Sequence, residues 1–168
     1  MRYVLIAAMF LLSLILPGTL FHFWSWSGVK PDLLMLLTIY IAMHHRLLGS
    51  AIWGFGAGLF EDFYLGRNVG MYTLTLVVVA ILSNWLAERW YRENFLLTTF
   101  VVFLVTAVGQ ILVSFLSLGA GLHWTVTDIG RLVIGVSLYN AFLVPLTYPW
   151  IHQSFIRGWL RYRPRYER

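Results

Sequence analysis

An all-α integral membrane protein, a compact bundle of about six transmembrane helices, is the fold class this 168-residue sequence predicts. Three observations predict it. Hydrophobic residues make up 60% of the chain and charged residues 11%, against roughly 25% charged in a soluble domain. The few charges and paired histidines bunch at 44–46, 61–67, 88–93 and 157–168, leaving long apolar runs between them. Tryptophans and arginines sit at the ends of those runs, as interfacial anchors do.

The runs are 3–24, 31–43, 47–60, 70–86, 95–118 and 128–150. The first resembles a signal peptide in starting with Arg2 and the apolar Tyr3 to Leu16. No small-x-small cleavage site follows, so it reads as a first helix bent near Pro17–Gly18. The second opens on Lys30-Pro31-Asp32, with Pro in the first turn, where its missing amide is no loss, and an acid beside it, where the positive end of the helix dipole favours one. The second and third runs are short and reach only about 20 Å, against a hydrocarbon core of ~30 Å. They must borrow flanking residues or pair as a hairpin that does not fully cross. Fusing them into one helix over 31–60 would put His44, His45 and Arg46 at mid-membrane, at a cost of at least ~2.5 kcal/mol for the arginine. That alternative is excluded.

The fifth run carries Thr99, Thr106, Gln110 and Ser117 at spacings that place them on one stripe facing the bundle interior. Interhelical hydrogen bonds account for such a stripe. A polar cavity built from Thr106, Gln110 and Asn140 is the functional alternative. The sixth run starts after Thr125 and Asp128, which have capping-box spacing with Asp in place of Glu, and Pro145 and Pro149 should bend it. Residues 1–152 thus form the membrane domain and 153–168 a basic tail.

Sidedness follows from lysine and arginine. Six crossings with both termini in the cytoplasm place Arg2, Arg46, Arg89, Arg92, Arg157, Arg161, Arg163, Arg165 and Arg168 inside, and Lys30, Arg67 and Arg131 outside. The tail interleaves its arginines with Trp159, Tyr162 and Tyr166. Directly after a cytoplasmic helix end, this composition grips anionic lipid headgroups, and nucleic acid is not implied.

Enzymatic chemistry finds no footing. The chain has no cysteine, its five histidines are scattered, and no nucleophile–base order, phosphate loop or zincin motif is present. Gly54, Gly56 and Gly58 lack the strand of a dinucleotide fingerprint. No cofactor, metal or catalytic residue is expected.

The stretch GFGAGLFEDFYLGRNVG, residues 54–70, is the chain's most unusual. Gly54, Gly58 and Asp62 lie four apart and share one helix face, which Gly66 and Gly70 extend as a helix-packing or partner face. Asp62 ends a helix whose dipole disfavours an anion there, so it needs a partner: Arg67, or the free amides near Asn68–Gly70. Glu61 points elsewhere and reads as solvated, and adjacent acids do not form a catalytic pair.

Residues 30–82 carry a family resemblance. The Pro31-Asp32-Leu33-Leu34 opening, the short apolar helix, the Gly54-x-x-x-Gly58-x-x-x-Asp62 face, then Leu65-Gly66 and Gly70, resemble the rod-shape-determining membrane protein MreD. The resemblance implies a non-enzymatic component of the bacterial elongation machinery in the plasma membrane. The partner it implies is the bitopic protein MreC, alongside MreB, the RodA glycosyltransferase and a class B penicillin-binding transpeptidase. It also implies a fold like the substrate-binding subunits of energy-coupling-factor transporters. A small-molecule-binding transporter subunit is therefore the competing class.

Overall fold

The structure, a computed structural model, describes residues 2–19, 29–66, 69–90 and 95–156, with side chains at 8–16, 29–66, 69–89 and 95–149. Among these residues six helices follow in order: α1 (Arg2–Thr19), α2 (Leu33–His44), α3 (Leu47–Leu65), α4 (Met71–Trp90), α5 (Phe95–Gly119) and α6 (Val126–Ile156). The fold is all-helical. Of the described helices, α4, α5 and α6 are long and apolar enough to cross a membrane.

The short second helix is not one more span. Its 12 residues rise about 18 Å, well under a hydrocarbon core. Nine consecutive residues, Leu34 to Ala42, are buried, and α2 packs against every other helix. A helix that is apolar on all sides and surrounded by protein needs no lipid-spanning length. It is the axis of the bundle.

The chain reverses after α2 at His45 and Arg46, so the excluded continuous helix is indeed broken there. The last α2 carbonyls are satisfied from other helices. Ser50 donates its hydroxyl to the Ala42 carbonyl at 2.9 Å, and the Asn84 amide donates to the carbonyls of His45 at 2.6 Å and Ala42 at 3.3 Å. Backbone acceptors freed at a helix end are thereby paired inside the protein. Nearby, the Arg89 guanidinium lies 4.8 Å from the Trp85 ring centroid, an interfacial cation–π pair.

Helix α3 runs five residues beyond the expected end at 60, so Glu61 and Asp62 lie inside it. It packs most extensively on α4. Helix α6 is a single helix containing both Pro145 and Pro149. Between them, Thr147 donates to its own helix at Leu143 and meets the Tyr40 hydroxyl of α2 at 2.9 Å.

Candidate functional site at the carboxylate end

Because the helices alternate in direction, α2, α4 and α6 start at the same end of the bundle. Each start carries an aspartate, and each aspartate receives backbone amides. Here the positive ends of three helix dipoles meet the three aspartates of the chain.

Asp62 is the most elaborated. It belongs to the end of α3, yet it caps the start of α4. Its Oδ2 accepts from the amides of Gly70 at 2.8 Å and Thr73 at 3.0 Å and from the Thr73 hydroxyl at 2.5 Å, while Oδ1 accepts from the Tyr72 amide at 3.0 Å. The unfavourable dipole of its own helix is thus offset by the favourable one of the next. Of the two partners expected, the helix-opening amides are the ones seen; Arg67 and Asn68 lie outside the described residues.

Close approach of α3 and α4 makes this reach feasible. A Cβ on Gly54 would lie 2.5 Å from the Leu76 carbonyl oxygen and 2.8 Å from the Ala80 Cβ. A Cβ on Gly58 would run into the Thr73 Cα and lie 2.6 Å from the Tyr72 carbonyl oxygen. The Gly54–Gly58 face is therefore filled by α4 and is closed to a partner's helix. Gly66 and Gly70 do not belong to it: nothing lies within 4 Å of a Cβ built on either. They have φ of 60° and 108° instead, a backbone conformation that glycine adopts without strain. Gly66 ends α3, its amide bonding the Asp62 carbonyl at 3.0 Å.

Asp32 caps α2, accepting the Met35 amide at 2.9 Å. Pro31 precedes the cap, so it lies outside the first turn in which it was expected. The Asp32 backbone is gripped by α6: its amide donates to Asn140 Oδ1 and its carbonyl accepts from Asn140 Nδ2, both at 3.1 Å. Asn140 also meets the Thr106 hydroxyl at 3.4 Å. The Gln110 amide donates to Asp32 Oδ2 at 3.1 Å. Thr106, Gln110 and Asn140 do come together, but Thr106 and Asn140 are fully buried and mutually bonded. They form a filled knot tying α2, α5 and α6, and the expected cavity is not between them. Thr99 is off the interior stripe; half-buried, it bonds the Phe95 carbonyl of its own helix and no other described residue. At α6, the Thr125 amide donates to Asp128 at 3.3 Å, the reciprocal half of a capping box.

A cavity does exist above the knot. Gln110 sits nine residues before the end of α5, so the start of α2 lies roughly 14 Å below that end. The space left above the short helix is a cavity of about 660 Å³. Its polar wall is Tyr72, Gln110, Ser114, Ser117 and Trp124, and its apolar wall includes Leu65, Val113 and Leu132. Gln110 thus belongs to both floor and wall.

Glu61 corrects the expectation of a solvated acid. It is 9% exposed, and its Oε2 is buried with no hydrogen-bond partner among the described residues. It lies one helical turn from Leu65, and Asp32 and Asp62 are its charged neighbours. The tail arginines 157, 161, 163 and 165 lie outside the described residues. Three further residues at close contacts gave weak sequence signals. Asn84 is an amide inside an apolar run, Thr73 is an ordinary helix residue, and Gly109 stands alone. A Cβ on Gly109 would lie 2.8 Å from Met35 Cε and 2.9 Å from Val79 Cγ2, so α2, α4 and α5 converge there. Among the described residues no group of three His, Asp or Glu is placed to hold a metal ion.

A sequence model of one family, rod shape-determining protein MreD, matches residues 1–157 of this chain. No curated protein and no solved structure matches it. The match covers nearly the whole chain, and the protein belongs to the MreD family of rod shape-determining membrane proteins.

Proposed function

We propose that the protein acts as a non-enzymatic scaffold of the elongation machinery in the bacterial plasma membrane, binding MreC and helping to control lateral peptidoglycan synthesis. MreB, RodA and a class B penicillin-binding transpeptidase are its partners in the larger assembly on this reading. The observation that carries it is the family match over residues 1–157. The interior supports it: Asp32, Asp62, Thr106 and Asn140 are committed to hydrogen bonds that join helices. Groups so occupied hold a shape and have little freedom to move protons.

A membrane domain over 1–152, a lipid-gripping tail over 153–168 and cytoplasmic termini complete the proposal. The arginines support the orientation. Arg46 and Arg89 lie at the end opposite the aspartate caps, as the positive-inside rule asks if that end is cytoplasmic. Cysteines introduced at Asn68 and Tyr166 should then label from opposite sides of intact cells; labelling of both from one side would overturn the number of crossings.

The partner reading is tested by pull-down of the full-length protein in mild detergent, followed by mass spectrometry. Recovery of MreC supports it. The competing reading, a small-molecule-binding subunit of a transporter, is favoured by the cavity above α2 and by the fold likeness the family implies. Recovery of an energising transporter subunit in place of MreC would favour that class.

A further inference from the structure

We propose that the cavity at the carboxylate end binds an uncharged, hydroxyl-bearing head group carried on an apolar chain, such as a glycerol or sugar head on an acyl tail. The inference does not depend on the partner reading, because it rests on the cavity wall alone.

Its starting point is Ser117. This residue lines the cavity, is 6% exposed, and its hydroxyl bonds no other described residue. Elsewhere in the same bundle, helix hydroxyls turn back to the carbonyl four residues earlier. Thr75 does so at 2.9 Å, Ser83 at 2.6 Å and Ser137 at 2.6 Å. Ser117 has the same option and leaves it unused. That hydroxyl opens on the cavity, and native proteins complete such groups with protein, water or ligand. Ser114 and Tyr72 present further side-chain hydroxyls with no bond inside the described protein. Gln110 spends its amide nitrogen on Asp32, which leaves its carbonyl oxygen for the cavity.

The charge pattern restricts the ligand. Among the described residues no charged side chain lines the wall. Behind it stand Asp32, held by Gln110, and Glu61, whose Oε2 is sealed in the protein. Acids behind a neutral wall oppose a phosphate or carboxylate, and the sealed Oε2 cannot reach a cation in the cavity. Hydroxyls, which both donate and accept, match the hydroxyls and amide of the wall.

Volume and placement supply the tail. About 660 Å³ lies within the range of small-ligand sites, and most of the lining is apolar. Helices α3 and α6 both line the cavity without packing extensively on one another, which leaves a side along which an apolar chain can lie. A membrane lipid and a free polyol share the head chemistry.

The experiment uses the full-length protein in phosphatidylcholine nanodiscs. The probe is a monoacylglycerol with a dibrominated acyl chain, read by quenching of tryptophan fluorescence, with a dibrominated acyl phosphate as its anionic match. The expected result is saturable quenching by the monoacylglycerol, absent in Trp124→Phe, and only linear quenching by the acyl phosphate. Ser117→Ala should weaken half-saturation about three- to tenfold, the loss of one hydrogen bond. Ser117→Phe, or Ser114→Phe where the first loses its helical circular dichroism, should abolish saturation by filling the cavity. If both Phe variants lose helicity, Ser117→Ala decides. Displacement by excess glycerol would assign the site to free polyols, and no displacement to a lipid-borne head. Equal saturation by the acyl phosphate, saturation that persists in Trp124→Phe, or an unchanged Ser117→Ala titration would each overturn the proposal, as would linear quenching by both probes, which would leave the cavity to water.

Discussion

The two ends of α2 solve the same problem with opposite chemistry. At its start, free amides meet carboxylates and the Asn140 amide; at its finish, free carbonyls meet the Ser50 hydroxyl and the Asn84 amide. The difference follows from the helix dipole, which favours anions at a start and donors at a finish. It also differs in what is left over. The finish is filled, with Ser50 fully buried and Asn84 nearly so. The start lies deep below the ends of its neighbours and leaves a cavity above it. A helix too short to span therefore makes one end of the bundle a plug and the other a recess.

The strongest way to break this comparison is at Gly58. A leucine there must displace the Thr73 backbone at the start of α4, and backbone cannot yield as a side chain does. Gly58→Leu should lose several kcal/mol, on the order of an overpacked core site or more, and little folded protein should be recovered. Leu59→Ala, at a half-buried position on another face, should be milder. Monodispersity in size-exclusion chromatography is the measurement. A monodisperse Gly58→Leu protein would show that α3 and α4 do not need this contact.

Asp62 comes next. Leucine removes the acceptor of four donors at the start of α4 and should cost on the order of 3 kcal/mol or more. Asparagine retains one oxygen. Its amide nitrogen must face either the Tyr72 amide or the Gly70 and Thr73 amides, although the Thr73 hydroxyl can turn to accept from it. Asp62→Asn should therefore fall between wild type and Asp62→Leu in thermal stability and in rescue of rod shape. Equal failure of both, with the protein stably inserted, would assign the carboxylate a proton-bound role.

Much of this was legible in the sequence, and the rest failed for identifiable reasons. The helix order, the break at 45–46 and the convergence of Thr106, Gln110 and Asn140 follow from periodicity and from the cost of charge in lipid. The need of Asp62 for a partner followed from the dipole of its own helix. Glu61 was misread because a sequence shows where an acid sits on a helix, while burial depends on which neighbours surround that face. Gly66 and Gly70 continued the four-residue spacing of Gly54 and Gly58, but spacing implies a face only while the helix lasts, and α3 ends at Leu65. The cavity was expected between Thr106, Gln110 and Asn140, and it lies above them with Gln110 as its floor. It results from the depth at which α2 starts, a tertiary quantity.

At the opposite end, Asn84→Ala should remove the donor to the His45 and Ala42 carbonyls. Ser50 still donates to Ala42, so only part of the turn is undone. Interhelical hydrogen bonds inside membranes average about 0.6 kcal/mol, which puts the loss at about 1 kcal/mol. A shift in thermal unfolding of the detergent-solubilised protein measures it. A loss as large as that of Asp62→Leu would show that the plugged end, rather than the recessed one, holds the bundle together.

The smallest effect belongs to Glu61. Among the described residues it is the one acid at the carboxylate end with a buried oxygen that nothing bonds, whereas Asp32 and Asp62 accept donors on both oxygens. Two further acids beside it add repulsion to the cost of burial. Glu61→Gln keeps the shape, removes the charge and breaks no hydrogen bond of Oε2. The variant should be at least as stable as wild type, by zero to about 1 kcal/mol. The comparison of the three acids then has a sign: neutralising Asp62 destabilises, and neutralising Glu61 does not. Thermal unfolding of the two variants in the same detergent decides it. A fall for Glu61→Gln matching that of Asp62→Asn would mean that Glu61 has a partner in the folded protein and that its unbonded oxygen is not a feature of the native bundle.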